Sequence, residues 1–378
     1  MEKALLISES SVYKTEKGGL VSRGGGEVYI HNLAKLLKKV GVEATVFAIQ
    51  EFDGQAKEEV IEGILYKRCA VHSRKSFSLF RYLRAALKES KDYDFVFLNQ
   101  FIPHLILPWI KKAKKIAIIF DLYVYEGFLF WIRQYGLFVG GIGWLVEKFQ
   151  LIFDRKYADM VMTISECSKN KALAVLGKKF VDKVVIVPAV VCQKDKFDYL
   201  KKENMILFVG RFVEYKHPEH VLFVLKKLLE IWPDIKAKFI VARTMEVSLK
   251  IFKKWKNKLN IDDKNIDILT GLNNEEVEDL TGKAKLLVHP SLIEGQGIVV
   301  LEALNAGTPV VAYNLPAYRG MLISGKNSLL VENGDFESLA DAAIKVIKDY
   351  EKYQKNCQIS LKDFSEERWL DVLKKVVE

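Results

Sequence analysis

Glu294 and Glu302 flank the loop Gly295-Gln296-Gly297, and residues 286–313 around them read LLVHPSLIEGQGIVVLEALNAGTPVVAY. Leu286 to Val288 is a short apolar run of the buried-strand type, and Ile298 to about Ala306 has helical character. Gly307 and Pro309 stop that helix, and Val310 to Tyr313 begin the next strand. A helix opening directly behind two glycines makes an anion site. Its first backbone N–H groups lack partners within the helix, and that end carries partial positive charge. Gly295 and Gly297 let a ligand approach the backbone closely, with Gln296 between them and Ile298 at the helix start. Carboxylates only accept hydrogen bonds, so Glu294 before the glycines and Glu302 inside the helix suit a ligand rich in hydroxyls. Phosphate joined to polyol describes a nucleotide sugar. Two glutamates at this spacing say little by themselves, since most helix glutamates are simply solvated.

The segment resembles the retaining glycosyltransferases of family 4, whose signature is a glutamate, seven residues and a second glutamate. The flanking pattern P-S-x-x-E-G-x-G is met from Pro290 to Gly297, and E-A-x-x-x-G-T-P-V-V from Glu302 to Val311. The resemblance implies an α/β GT-B fold, two doubly wound Rossmann-like domains facing a cleft. It also implies transfer of a hexose from a nucleotide donor with retained anomeric configuration, no obligatory metal and no cofactor beyond the donor. Glu294 would then hold the hydroxyls of the donor sugar and Glu302 those of the ribose. Gly210-Arg211 with Lys216 five residues on resembles the family's V-G-R…K, two cations for a diphosphate that gains charge as the glycosidic bond breaks. Gly24-Gly25-x-Glu27 resembles its N-terminal phosphate loop, and Gly271-Leu272 the loop beside the nucleotide base.

The family usually ends one first-domain strand in His-Asp, with the histidine on the donor sugar. Here the pair is Phe120-Asp121, so the aspartate is kept and the histidine is not. This departure leaves open the donor sugar and the identity of any base. A front-face reaction, in which the leaving phosphate takes the acceptor proton, needs no histidine there. His104, after the preceding strand, is read as structural. Arg243-Thr244 stand where the family often has glycines, and Pro316-Ala317 and Gly320 replace its Gly-Gly and Glu. The missing histidine also prompts an alternative, a nucleotide-sugar binding protein of the same fold without transferase activity.

A chain of 378 residues is too long for one ordinary core, and half of it is hydrophobic, so two globular domains are expected. Cys69, Cys167, Cys192 and Cys357 lack paired or metal-ligand spacing, which fits a reducing compartment. MEKALLISES reads as a strand rather than a signal peptide, so the expected location is cytoplasmic. The net charge of +10 is spread along the chain. No nucleic-acid motif accompanies it, and no nucleic-acid partner is expected. The partners expected instead are the donor and an acceptor, either a glycan or a lipid-linked sugar.

These residues need a scaffold. Lys3 to Ser8 predicts a central strand, followed by a long polar link into Gly24-Gly25-Gly26 and an amphipathic helix. From Ile64 to Lys91 the chain is basic, including Arg74 and Lys75; Ser78 to Ser90 reads as a helix with Phe80, Leu83 and Leu87 on its apolar face. Its Arg81, Arg84 and Lys88 form either a solvated outer face or a patch for anionic lipid. Tyr123 to Phe153 contains FLFW and GLFVGGIGWLV, too short an uncharged run to cross a bilayer and too rich in glycine for a rigid core helix. It reads as a helix buried between layers or against the second domain, or as an interfacial segment whose aromatic residues sit at lipid depth or grip a polyisoprenoid, the latter placing the enzyme peripherally on the cytoplasmic face. The domains are drawn at 1–190 (acceptor side) and 191–360 (donor side), with a terminal helix in 361–378 returning to the first.

Overall fold

The apolar runs assemble into two mainly parallel sheets, seen in a computed structural model that describes residues 1–14, 19–22, 24–70, 76–191, 202–242 and 246–378. Backbone contacts divide the chain into unit 1 (Met1–Tyr13, Gly26–Ala189 and Glu366–Glu378) and unit 2 (Lys14–Gly25 and Val190–Ser365). The segment Lys14–Gly25, drawn with the first domain from sequence, thus groups with unit 2, and the terminal helix with unit 1. Arg74, Lys75, Cys192, Arg243, Thr244 and most of the 188–202 link lie outside the described residues.

The chain begins with β1 (Lys3–Ile7), the short pair β2 (Tyr13–Lys14) and β3 (Leu20–Val21), then α1 (Gly25–Lys39), β4 (Glu43–Ile49), β5 (Glu58–Ile61) and β6 (Ile64–Cys69). It continues with α2 (Ser76–Glu89), β7 (Phe95–Asn99), β8 (Lys114–Ile119), α3 (Phe128–Tyr135), α4 (Leu137–Tyr157), β9 (Met160–Thr163), α5 (Glu166–Leu176) and β10 (Val184–Ile186). The sheet order is β10-β9-β8-β7-β1-β4-β6-β5, with β5 antiparallel to β6. Central strands such as β1 and β7 are apolar nearly throughout because helices cover both faces of a parallel sheet.

One detail of unit 1 differs from the sequence reading. Helix α2 turns Tyr82 and Ala86 into the core, while Phe80 is exposed. The glycine-rich stretch forms the 21-residue helix α4. Its glycines have a reason: a Cβ at Gly140 would stand 2.3 Å from the Trp131 carbonyl oxygen, and one at Gly143 would stand 2.3 Å from the Trp131 ring. They let α3 lie directly on α4.

Unit 2 holds β11 (Met205–Val209), α6 (Pro218–Leu229), β12 (Lys236–Ile240), α7 (Glu246–Lys258), β13 (Ile266–Leu269), α8 (Asn274–Lys283), β14 (Leu286–His289) and α9 (Ile298–Asn305). Then come β15 (Val310–Tyr313), β16 (Ser328–Val331), α10 (Phe336–Lys348) and α11 (Tyr350–Gln354), before α12 (Glu366–Val377). Its parallel sheet runs β13-β12-β11-β14-β15-β16. The chain starts at β11, builds outward through β12 and β13, and returns to the other side of β11 at β14. Chain order therefore reverses between β11 and β14. The core contains Phe208, Phe212, Phe239 and Phe252, with ring centroids 5.0–5.8 Å apart, under Leu222 and Leu225 of α6. Leu225 is fully buried. Leu225→Ala is expected to cost about 2–5 kcal/mol of unit 2 stability, read as a lower denaturant midpoint; an unchanged midpoint would contradict this packing.

Candidate functional site

In open α/β sheets a crevice opens beyond the carboxyl ends of two adjacent strands whose connections run to opposite sides. In unit 2 those strands are β11 and β14, which pair directly. β11 leads into Gly210, Arg211 and a turn at Glu214–Lys216; β14 leads through Pro290 to Glu294. The Leu292 N–H donates to the Tyr215 carbonyl at 2.8 Å, tying the two loops together. Arg211, Lys216 and Glu294 are thus set by neighbouring strand ends. Gly271 and Leu272 follow the carboxyl end of β13, two strands beyond β11.

Glu294 is the electrostatic centre of this arrangement. Its Oε1 accepts hydrogen bonds from Lys216 Nζ and, at 2.7 Å, from His289 Nε2. Burial alone would push this carboxyl up. The Lys216 ammonium and the His289 contact outweigh burial and hold it well below the usual carboxylate range. The Arg211 guanidinium donates to the Tyr215 hydroxyl at 2.6 Å. Two cations and one ionised acid therefore sit at the reversal point with restricted side chains.

Gly297 opens α9 in the left-handed region, at φ 83°, and a Cβ there would lie 2.8 Å from the Tyr318 ring. Both facts demand glycine. The first backbone bonds of α9 run from Val300 and Leu301 to the Gly297 carbonyl, so the Ile298 and Val299 amides precede them. Gly295 and Gln296 form the approach to this end. The glycine-rich segment meets the same helix: a Cβ on Gly25 would stand 3.0 Å from Ile298 Cδ1. Just before Gly24, the Ser22 hydroxyl donates to Asn274 Oδ1 at 3.1 Å, beside the loop from Gly271 and Leu272. Glu302 is half-buried on α9, and burial, with the charge of Glu278, pushes its carboxyl up to about 7.

Sequence reasoning missed His289, Tyr215 and Tyr318. His289 is buried at the end of an otherwise apolar strand, where a polar side chain requires a partner. That was a usable signal. Tyr318 meets His289 edge-on at 6.1 Å between centroids, a tertiary contact with no local signature.

Asp121 belongs to unit 1, where it follows β8 and accepts from the Tyr123 hydroxyl at 3.3 Å. Phe120, standing where the family has histidine, packs edge-on against Tyr29 at 4.9 Å. His104 is fully buried, with Nδ1 2.6 Å from Asp154 Oδ1, in keeping with the structural reading. Among the described residues, His217, Glu219 and His220 could together face a metal ion, with donor atoms within 4.8 Å of one another. Two of their nitrogens are already engaged: His217 Nδ1 donates to Glu219 at 2.7 Å, and His220 Nδ1 meets the Tyr313 hydroxyl at 2.8 Å.

Residues 193–360 match the family model for glycosyl transferases group 1, and residues 23–192 match that for glycosyltransferase family 4. The chain belongs to the family-4 type of glycosyltransferases, with the GT-B fold. It is 27% identical over 179 residues, 46% of this chain and 42% of the relative, to the D-inositol 3-phosphate glycosyltransferase of Corynebacterium urealyticum. It is 28% identical over 201 residues, 53% of this chain and 54% of the relative, to the O-antigen chain mannosyltransferase RfbU of Salmonella typhimurium. The chain thus spans about half the length of these two curated relatives. In three dimensions it resembles HepE of Anabaena, solved in complex with UDP and glucose, with a TM-score of 0.76, 14% identity and coverage of 100% and 99% of the two chains.

The two glutamates act on stability in opposite directions. Glu302, with its carboxyl raised from 4.5 to about 7, stabilises unit 2 below the ordinary carboxylate range and loses that contribution as pH rises to about 7. Glu294, held low, stabilises above the ordinary range and loses its contribution as pH falls below it. Relative to wild type, Glu302→Gln is expected to gain on the order of 1–3 kcal/mol between acid and neutral pH. Glu294→Gln should flatten the acid limb instead. Denaturant titrations across pH check both, and parallel profiles for the two variants would contradict the assignment.

Proposed function

We propose that this protein is a retaining hexosyltransferase that uses a nucleotide-diphosphate sugar without a metal ion, and that its acceptor is a glycan or a lipid-linked sugar. The observation that carries the reading is the Lys216–Glu294–His289 cluster at the strand reversal, directly ahead of the glycine-opened helix α9. In this reading the donor diphosphate lies against the Ile298 end of α9, and Arg211 and Lys216 take up the charge that develops as the C1–oxygen bond breaks. Two fixed cations supply the neutralisation that other transferases draw from a divalent ion.

Glu294, kept ionised, accepts hydrogen bonds from the donor sugar and orients it. Glu302 accepts from the ribose, and Gly24, Gly25, Gly271, Leu272, Gly295 and Gln296 frame the donor. The acceptor oxygen bonds to C1 on the face the phosphate leaves, and its proton passes to a leaving phosphate oxygen. Phe120 cannot act as a base, and this route asks for none at that position. The relatives, a mannosyltransferase and an inositol-phosphate glycosyltransferase, support the donor class, as does HepE with its UDP and glucose.

Arg211→Ala and Lys216→Ala should each lower turnover by roughly 10²-fold or more, since each removes a preorganised contact to developing charge. The assay is product formation from donor and acceptor, with the anomeric configuration read by NMR. Retained configuration with both losses is expected. Near-wild-type transfer in both variants, or inversion, would refute the mechanism. Donor binding without any transfer would favour the binding-protein alternative.

A further inference from the structure

Helix α4 is built inside out. Its inward side carries Glu147, Gln150 and Asp154, all buried, bonded to one another or to Trp131 and His104. Its outward side carries Phe138, Ile142, Leu145, Phe149 and Ile152, each 49–84% exposed and spaced alternately four and three residues apart. Leu129 of α3, 79% exposed, adds to the same hairpin. Ordinary surface helices present the reverse pattern, and an apolar stripe of this length turned to water marks an interaction site.

The charges identify the partner. Between residues 127 and 157 the exposed charged side chains are Arg133, Lys148, Arg155 and Lys156, all positive, while the acids Glu147 and Asp154 are buried. Burial also pushes the Glu147 carboxyl up to about 8, despite the hydrogen bond from Trp131, so it is largely neutral at pH 7. Lys148 lies 4.5 Å from the Trp144 ring, an aromatic and cation pair suited to the headgroup level. No helix among the described residues is long and apolar enough to cross a membrane. A second copy of the chain would bring these cations against their own counterparts across a two-fold axis.

We propose that the outer face of the α3–α4 hairpin docks unit 1 on an anionic phospholipid surface, with α4 lying in the plane of the interface and its cations on the headgroups. The inference stands on unit 1 alone and goes beyond the donor reading.

The test is flotation of the whole chain, without donor or acceptor, with vesicles of phosphatidylglycerol and phosphatidylcholine or of phosphatidylcholine alone. The protein should float with the anionic vesicles and much less with the neutral ones. Phe138→Ser/Leu145→Ser/Phe149→Ser should abolish flotation while leaving the melting temperature and donor binding unchanged, because these side chains are exposed. Lys148→Gln/Arg155→Gln/Lys156→Gln should weaken partitioning into anionic vesicles by roughly a hundredfold. A wild-type chain that stays with the solution, or serine variants that still float, would overturn the proposal. So would a wild-type dimer that the serine changes turn into monomer without any lipid binding. Because no sugar is present, either outcome leaves the transfer reading to its own assay.

Discussion

One largely desolvated carboxylate, Glu294, is tolerated in the loop after β14 because Lys216 and His289 both reach it. Desolvating an acid is expensive, and only this company keeps it charged. The rest of unit 2 can be read as the means of assembling that company. Direct pairing of β11 with β14 fixes the distance between the two loops, the Leu292–Tyr215 backbone bond locks their register, and Tyr215 also receives Arg211. Breaking the pair by removing either partner would leave an uncompensated charge inside the protein. The network is therefore structural, and it stands at the chain reversal, where open α/β sheets form their crevice.

Much of this scaffold was legible beforehand. Buried parallel strands are continuous apolar runs, so β1, β7, β8, β11 and β14 announce themselves, and Gly297 with Gly307 brackets α9 by known stop and start chemistry. Glu294, Glu302, Arg211 and Lys216 stand out as candidates because motif spacing is local. What was illegible depends on tertiary contact. The partnership of His289 with Glu294 requires the loop to fold back onto its own strand. The stacking of α3 on α4 explains glycines that, read singly, argue against a helix. Helix α2 turns Tyr82 rather than Phe80 inward because a 3.6-residue period leaves the choice of face to the sheet beneath it. The grouping of Lys14–Gly25 with unit 2 rests on contacts to α8 and α9 hundreds of residues away.

The two units treat desolvated acids differently. In unit 2, Glu294 stays ionised because cations surround it. In unit 1, Glu147 accepts from the Trp131 N–H and from the Val124 and Tyr123 backbone, yet burial outweighs these bonds and its proton is retained toward neutral pH. Taking the acids of α4 inward removes negative charge from the outer face and leaves apolar and cationic side chains there. Sequence hydropathy detects the apolar residues but not the direction in which they point, and the direction decides between a core helix and a docking surface.

On the proposed reading, the reversal point of unit 2 holds a nucleotide-diphosphate sugar. A thermal-shift screen of nucleotide-diphosphate sugars on the intact chain tests it most directly, because a ligand held only by the folded state raises its melting temperature. At least one such donor is expected to raise it in a concentration-dependent manner, and Arg211→Ala, which removes one of the two cations at the reversal point, is expected to weaken the response while remaining folded. No stabilisation by any donor, or an undiminished response in that variant, would contradict it.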